Sequence, residues 1–318
     1  MPKPGIFVTR NIPQPALDRL EEVFSLSIHA SDQAITRAQL LAAVKESEAL
    51  LCLLTDTIDR ELLDAAPKLK CVSNLAVGYN NIDLEYASSR NIVVCNTPGV
   101  LTESTADLTW ALLLACARRV VEGDSFVRAG RFEGWGPMLM LGVDVFAKTI
   151  GIIGMGRIGS AVARRAEGFG MKVLWFDPLI DPQTVSAKYE RTDLRHLCAS
   201  SDFISIHAPL TPATRHLINA ELLALMRPHT VLVNTARGPI VNEAALIEAL
   251  RDNGIFAAGL DVFEHEPEIP AELLAQDNAV LLPHIGSASV ETRTKMALMA
   301  AENAIAVIQG TEPPARVN

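Results

Sequence analysis

"TIGIIGMGRIGSAVARRAEGFGMKVLWFDP", residues 149–178, is the stretch on which the fold turns. "TIGIIG" is an apolar run of strand type. "SAVARRAEGF" has the spacing of a helix, expected over 160–169, and Gly170 stands where a C-capping glycine belongs. "MKVLWFD" is a second apolar strand that ends in an acid, Asp177. Gly154, Gly156 and Gly159 spell G-x-G-x-x-G between the first strand and the helix. Alone that pattern is weak. Here a strand precedes it, a helix follows it, and the acid comes about 20 residues later.

Each residue type has a physical reason. Gly154 permits the tight turn, Gly156 lets backbone approach a pyrophosphate, and Gly159 lets the helix lie close to the strand. The helix N-terminus then offers N–H groups to the anion. Asp177 would accept hydrogen bonds from the adenosine ribose hydroxyls and repel a 2′-phosphate. The cofactor read from these residues is NAD, with NADH preferred over NADPH.

Working outward, "FISIHAP", "TVLVNTA", "AAGLDVF" and "AVLLPHIG" repeat the strand signal, with helical stretches between them. The first hundred residues show a separate alternation, from "GIFVTR" to "IVVCNTPG". The fold class expected is α/β: two Rossmann-like or flavodoxin-like domains with parallel sheets and an active-site cleft between them. "TESTADLTWALLLACARRVVEGDSFVRAG" is apolar on several faces, which suggests a helix packed at a subunit interface.

Composition narrows the function. The chain has 318 residues, 49% hydrophobic and 20% charged, as in ordinary globular proteins. A net charge of −9 without any basic block argues against nucleic acid as a partner. Cys52, Cys71, Cys95, Cys116 and Cys198 form no C-x-x-C pair, and several sit in apolar runs, so reduced buried thiols are expected. No stretch approaches the ~18 apolar residues of a membrane span. The opening "MPKPGIFVTR" lacks a signal-peptide core, and the expected location is cytoplasmic.

Three polar residues follow strands of the second block: Arg237 after "TVLVNTA", Glu266 in "DVFEHEP", and His284 after "NAVLLP". Ligands in open α/β sheets sit beyond the carboxyl ends of strands, so the three should converge. Together they suit hydride transfer to a 2-keto acid. His284 would give the proton to the forming alkoxide, Glu266 would hold the imidazole, and Arg237 would grip the carboxylate. His265 and His207 are weaker acid candidates.

At this point the chain resembles the D-isomer-specific 2-hydroxyacid dehydrogenases. The motifs are "GIIGMGRIG", "HAPLTPATRHLI", "VNTARGPIVNEAAL", "GLDVFEHEP" and "LLPHIGSAS", and the resemblance covers nearly the whole chain. It implies Arg237, Glu266 and His284 as the catalytic three. It places Arg157 and Ile158 near the pyrophosphate, Thr235 and Asp261 near the nicotinamide, and His207 and Pro209 at the adenine edge. Thr105, Thr214 and Gly286 join the cofactor set. It further implies a dinucleotide-binding domain over 99–284, a substrate-binding domain of 1–98 plus 285–318, and a homodimer joined through the cofactor domains.

Within the family, "LAVGYNNID" and "GWGPMLMLGVDVFAKTIGIIG" look like the glyoxylate/hydroxypyruvate reductase branch. There Leu54 and the backbone of Val77 and Gly78 would contact substrate. Trp135 resembles a residue that reaches into the partner subunit's site. One departure is "DPLI" at 177–180, where many members of this branch carry a polar residue and an arginine. The alternatives are a reductase for 2-ketogluconate or pyruvate, a phosphoglycerate dehydrogenase, and an NADH-sensing corepressor.

Overall fold

The computed structural model describes residues 2–318. The chain divides into two compact units, one made of 1–101 with 287–318 and the other of Thr102–Gly286.

The first unit runs β1 (Gly5–Val8), α1 (Gln14–Val23), β2 (Ser25–Ile28), α2 (Arg37–Ala43), β3 (Ala49–Cys52), α3 (Arg60–Ala65), β4 (Cys71–Asn74), α4 (Leu84–Ser89) and β5 (Val93–Cys95). Side chains fix several helix starts. Thr36 and Gln39 form a capping box on α2, and Asp59 and Asp83 cap α3 and α4. Each such cap satisfies an amide that would otherwise lack a partner, worth about 1 kcal/mol. All strand pairs are parallel, in the order β2-β1-β3-β4-β5. Every residue of β3 and β4 is buried, as a sheet covered on both faces requires.

The second unit runs α5 (Thr102–Ala117), α6 (Val120–Arg128), β6 (Thr149–Ile153), α7 (Arg157–Gly168), β7 (Lys172–Phe176), β8 (Glu190–Arg191), α8 (Leu194–Ser200), β9 (Phe203–Ile206), α9 (Ala220–Leu223), β10 (Val231–Asn234), α10 (Glu243–Arg251), β11 (Ala257–Leu260), α11 (Ala271–Leu274) and β12 (Ala279–Leu281). The sheet order is β12-β11-β10-β9-β6-β7-β8, all parallel. Strand order reverses at β6, between β7 and β9, which is where open α/β sheets hold ligands. Alternate strand residues feed two separate cores. Ile150, Ile152, Val231 and Val233 pack with Trp110 and Leu113, while Ile153, Ile204, Ile206 and Leu232 pack with Leu197, Leu246 and Leu250.

The chain then returns to the first unit as α12 (Val290–Gln309), capped by Ser289 and ended by Gly310 at φ 73°. Ser73 Oγ donates to the Ala300 carbonyl at 2.8 Å, and Asn303 bonds to the Asn96 carbonyl and the Ala315 amide.

Two expectations change. The helix after the glycine turn begins at Arg157 instead of 160, because Gly156 serves as its N-cap. The stretch after Thr102 is two helices, broken where Arg119 takes a left-handed φ of 52°. The apolar side of α5 packs on α7, β10 and β11 of its own unit, which accounts for its composition without a partner. Exposed large apolar residues lie instead on α6 and the segment after it, among them Val120, Phe132, Met138 and Phe146. All five cysteines are buried free thiols. Among the described residues no helix is long and apolar enough to cross a membrane.

Candidate active site

Register brings the second unit's polar residues into one row. Phe176, Ile153, Ile206, Asn234, Leu260 and Leu281 are successive cross-strand partners. Asp177, Gly154, His207, Thr235 and Asp261 each come one residue later. Arg237 and His284 come three residues after theirs. The carboxyl ends of six strands therefore present these groups along one edge.

At the switch point, Gly154 has φ 93°, and a Cβ there would lie 2.5 Å from the Ala208 nitrogen. A Cβ on Gly159 would lie 2.0 Å from the Gly154 oxygen, so turn and helix touch. Nothing comes within 4 Å of a Cβ placed on Gly156, so that side of the turn is open. No side chain caps α7 and no acid lies in its first turn. The amino end that carries Arg157 and Ile158 thus suits an anion such as a pyrophosphate.

Asp177 is held rigidly at the end of β7. Its carboxylate accepts from the amides of Met155 at 2.9 Å, Leu179 at 2.8 Å and Ile180 at 3.3 Å. A carboxylate has about four acceptor positions, so only part of its capacity is left for ribose hydroxyls. His207 pairs with Ser205 Oγ at 2.7 Å, and burial pushes its imidazole down to about 3. Burial thus disfavours the charged form of this imidazole. Thr214 Oγ1 donates to the Pro209 carbonyl at 2.6 Å and closes the loop after β9.

Arg237 stands where its strand turns. The Asn234 side chain accepts from the Ala236 amide and donates to the Arg237 carbonyl, 3.0 Å each, which bends the chain out of β10. The guanidinium donates to the Ala236 carbonyl at 2.7 Å. Burial lowers its pKa, and the charge of Glu266 opposes that shift. An arginine of such basicity stays charged.

His284 Nδ1 lies 2.8 Å from Glu266 Oε2, and Glu266 Oε1 accepts from the Phe263 amide at 3.0 Å. Burial pushes the Glu266 carboxyl up, but the His284 hydrogen bond, the charges of His284 and Arg237, and the Phe263 amide outweigh it and hold it below the ordinary value. An ionised Glu266 can only accept, so Nδ1 carries the shared proton and Nε2 is the nitrogen left for chemistry. His284 has a left-handed φ of 55°. Asp261, 1% exposed, accepts from the Ile285 and Gly286 amides at 2.7 Å each and so anchors the loop just after it. Burial pushes the Asp261 carboxyl up.

Thr235 Oγ1 meets Thr109 Oγ1 at 2.9 Å, and Thr109 bonds to the Thr105 carbonyl. A Cβ on Gly286 would lie 3.5 Å from Thr105 Cγ2, so these residues form one patch. Sequence reading missed Thr109 and Ser205. Thr109 was visible only as the residue four after Thr105, on the same helix face.

The first unit carries the remaining residues. Leu54 follows β3, and Val77 and Gly78 follow β4. Their carbonyls are held by Asn96 and Asn74, at 2.8 Å for Val77 and 2.9 Å for Gly78. Neither amide of Val77 or Gly78 has a partner among the described residues. Trp135 is 84% exposed.

Comparison with known proteins gives a concordant result. Residues 110–286 match the model of the D-isomer specific 2-hydroxyacid dehydrogenase NAD binding domain. The glyoxylate reductase of Korarchaeum cryptofilum is 50% identical, with 99% of this chain and 96% of that protein covered. The glyoxylate reductase of Thermococcus litoralis is 48% identical, covering 99% of this chain and 97% of its own. Among solved structures, the NADPH-dependent glyoxylate/hydroxypyruvate reductase of Sinorhizobium meliloti, in complex with NADP and malonate, superposes with a TM-score of 0.88 at 34% identity, covering 99% of this chain and 97% of that one. The row of groups along the second sheet and these likenesses agree: the chain belongs to the D-isomer specific 2-hydroxyacid dehydrogenase family, nicotinamide-dependent oxidoreductases acting on 2-hydroxy acids.

Proposed function

We propose that this protein reduces glyoxylate to glycolate, or hydroxypyruvate to D-glycerate, using NADH. The observation that carries the reading is the 2.8 Å His284–Glu266 pair, with Arg237 coupled to Glu266, on the sheet that holds the glycine turn. The bound nicotinamide supplies the hydride. His284 donates the Nε2 proton to the keto oxygen as charge develops there, and Glu266 keeps the ring in register. Arg237 binds the substrate carboxylate and steadies that charge. The amides of Val77 and Gly78 are suited to the same carboxylate, and Leu54 to the small carbon chain.

Gly154, Gly156, Arg157, Ile158 and Gly159 would hold the pyrophosphate. His207, Pro209 and Thr214 would shape the adenine edge, and Thr105, Thr235, Asp261 and Gly286 the nicotinamide end. Asp177 sets NADH above NADPH, because its fixed charge repels a 2′-phosphate. This separates the chain from the Sinorhizobium meliloti relative, named for NADPH dependence. We assign substrate binding to the unit of 1–101 with 287–318 and cofactor binding to the unit of Thr102–Gly286. The exposed apolar residues Val120, Phe132, Trp135, Met138 and Phe146 suit pairing of two copies through the cofactor domain, where Trp135 would gain contacts. The buried thiols suit work in the reducing cytoplasm.

The test offers glyoxylate, hydroxypyruvate, pyruvate and 2-ketogluconate to the purified protein, each with NADH and with NADPH. The expected result is fastest loss of nicotinamide absorbance with NADH and one of the first two acids. Faster turnover of pyruvate or 2-ketogluconate would reassign the substrate. Sedimentation at the mass of a single chain would remove the pairing.

A further inference from the structure

Behind the catalytic groups lies a second cluster that the reaction does not use. Glu264 Oε1 is 2.6 Å from His216 Nε2. Glu264 Oε2 accepts from the Glu243 amide, and Glu243 Oε2 accepts from the Glu264 amide, 3.2 Å each. The two glutamates thus clamp each other's backbone. Glu243 opens α10 and is 7% exposed. Glu264 stands two residues before Glu266.

The same two segments touch elsewhere. Gly238, next to Arg237, packs so tightly that a Cβ would lie 1.9 Å from the Phe263 carbonyl carbon and oxygen. His216 reinforces this from a third segment. Its amide donates to the Pro239 carbonyl at 2.8 Å, the Ile218 amide donates to Ile240, and the Asn242 amide returns to Ile218. His216 holds a left-handed φ of 50° in doing so. Such backbone costs free energy for a non-glycine residue and persists only where its surroundings enforce it.

We propose that Glu243, Glu264 and His216 form a clasp that positions Arg237 relative to Glu266, and through Glu266 sets the place of His284. The inference rests on the catalytic reading of those three residues. The clasp residues do not touch substrate and are positioning residues. Burial pushes the Glu243 carboxyl up, with the charge of Glu264 adding to it. Burial acts upward on Glu264 too, yet the His216 bond and the Glu243 amide hold it low, and His265 faces both carboxylates. Of the two carboxyls, Glu264, which bridges His216 and the Glu243 amide, is therefore the more acidic. Gly238 leaves the segments no slack, so a change at the clasp is transmitted to the spacing of the catalytic groups. Small misplacements of such groups cost large factors in rate.

The experiment compares full-length Glu264→Gln, Glu243→Gln, their double variant and His216→Gln with wild type. It measures kcat, KM for glyoxylate, NADH Kd and Tm. For Glu264→Gln the expected result is a fall in kcat of about tenfold and a rise in KM, with NADH Kd within about twofold of wild type. The double variant is expected to be little worse than the worse single one, as coupled residues behave. A lowered Tm with kcat and KM unchanged would overturn the proposal and leave the cluster a purely structural one. If Glu264→Gln does not fold, His216→Gln, whose side chain is 38% exposed, is read by the same kcat and KM split. Arg237→Ala is measured alongside. If it too behaves as wild type, the catalytic reading itself has failed; if it is impaired while the clasp variants are normal, only the clasp has.

Discussion

Glu264 and Glu266 stand two residues apart, and each holds a histidine. One pair is His216–Glu264 at 2.6 Å and the other is His284–Glu266 at 2.8 Å. Both histidines have left-handed backbones. The residue types are the same and the surroundings are not. Glu264 spends its second oxygen on the amide that opens α10. Glu266 shares its field with Arg237, and the loop of its histidine is anchored by Asp261 at the carboxyl end of the sheet. A histidine–carboxylate pair is a proton device or a fastening according to what faces it. Residue identity alone does not separate the two.

The sharpest way to break this comparison is to remove the two histidines in turn. His284→Ala should lower kcat by about 10³ while NADH Kd stays near wild type, since a general acid is worth 10²–10⁴ in rate. His216→Gln, which loosens the clasp but leaves the proton donor in place, should cost about threefold. Equal losses from both would erase the distinction. Next in size is Arg237→Ala. Its kcat/KM should fall about a hundredfold, mostly through KM if carboxylate binding dominates, as steady-state kinetics would show. An unchanged KM and kcat would remove it from the site. Asp177→Ala should lower the NADH-over-NADPH ratio of kcat/KM by about tenfold or more. An unmoved ratio would place the discrimination elsewhere in the adenosine site.

The smallest effect sharpens the contrast with a third histidine. His207 titrates near 3 when folded and near 6.5 when unfolded. Between those values the unfolded chain binds the extra proton, so stability rises with pH across that window and is lost as pH falls. From pH 7 to pH 5 the loss from this group alone is about 2 kcal/mol. Urea unfolding of His207→Gln at the two pH values should show a correspondingly flatter dependence.

The glycine turn, the strands beyond it and the place of Asp177 at the end of β7 were legible because their signals are local. Arg237, Glu266 and His284 were legible because strand ends converge in a parallel sheet. The clasp was not. Glu243 and Glu264 are 21 residues apart and bond to each other's backbone, for which no side-chain pattern exists. The break between α5 and α6 was hidden because Arg118 and Arg119 carry no glycine or proline to mark it. The apolar wealth of α5 suggested a partner, but a helix set between a sheet and α7 needs the same composition. β8 is two charged-residue positions long, too short for any alternation to show.

The most direct test of the central claim follows nicotinamide absorbance with glyoxylate and NADH, for wild type and His284→Ala side by side, with NADH binding measured on both. Rapid oxidation is expected with wild type, and almost none with a variant that still binds NADH. Undiminished turnover by the variant would contradict that claim.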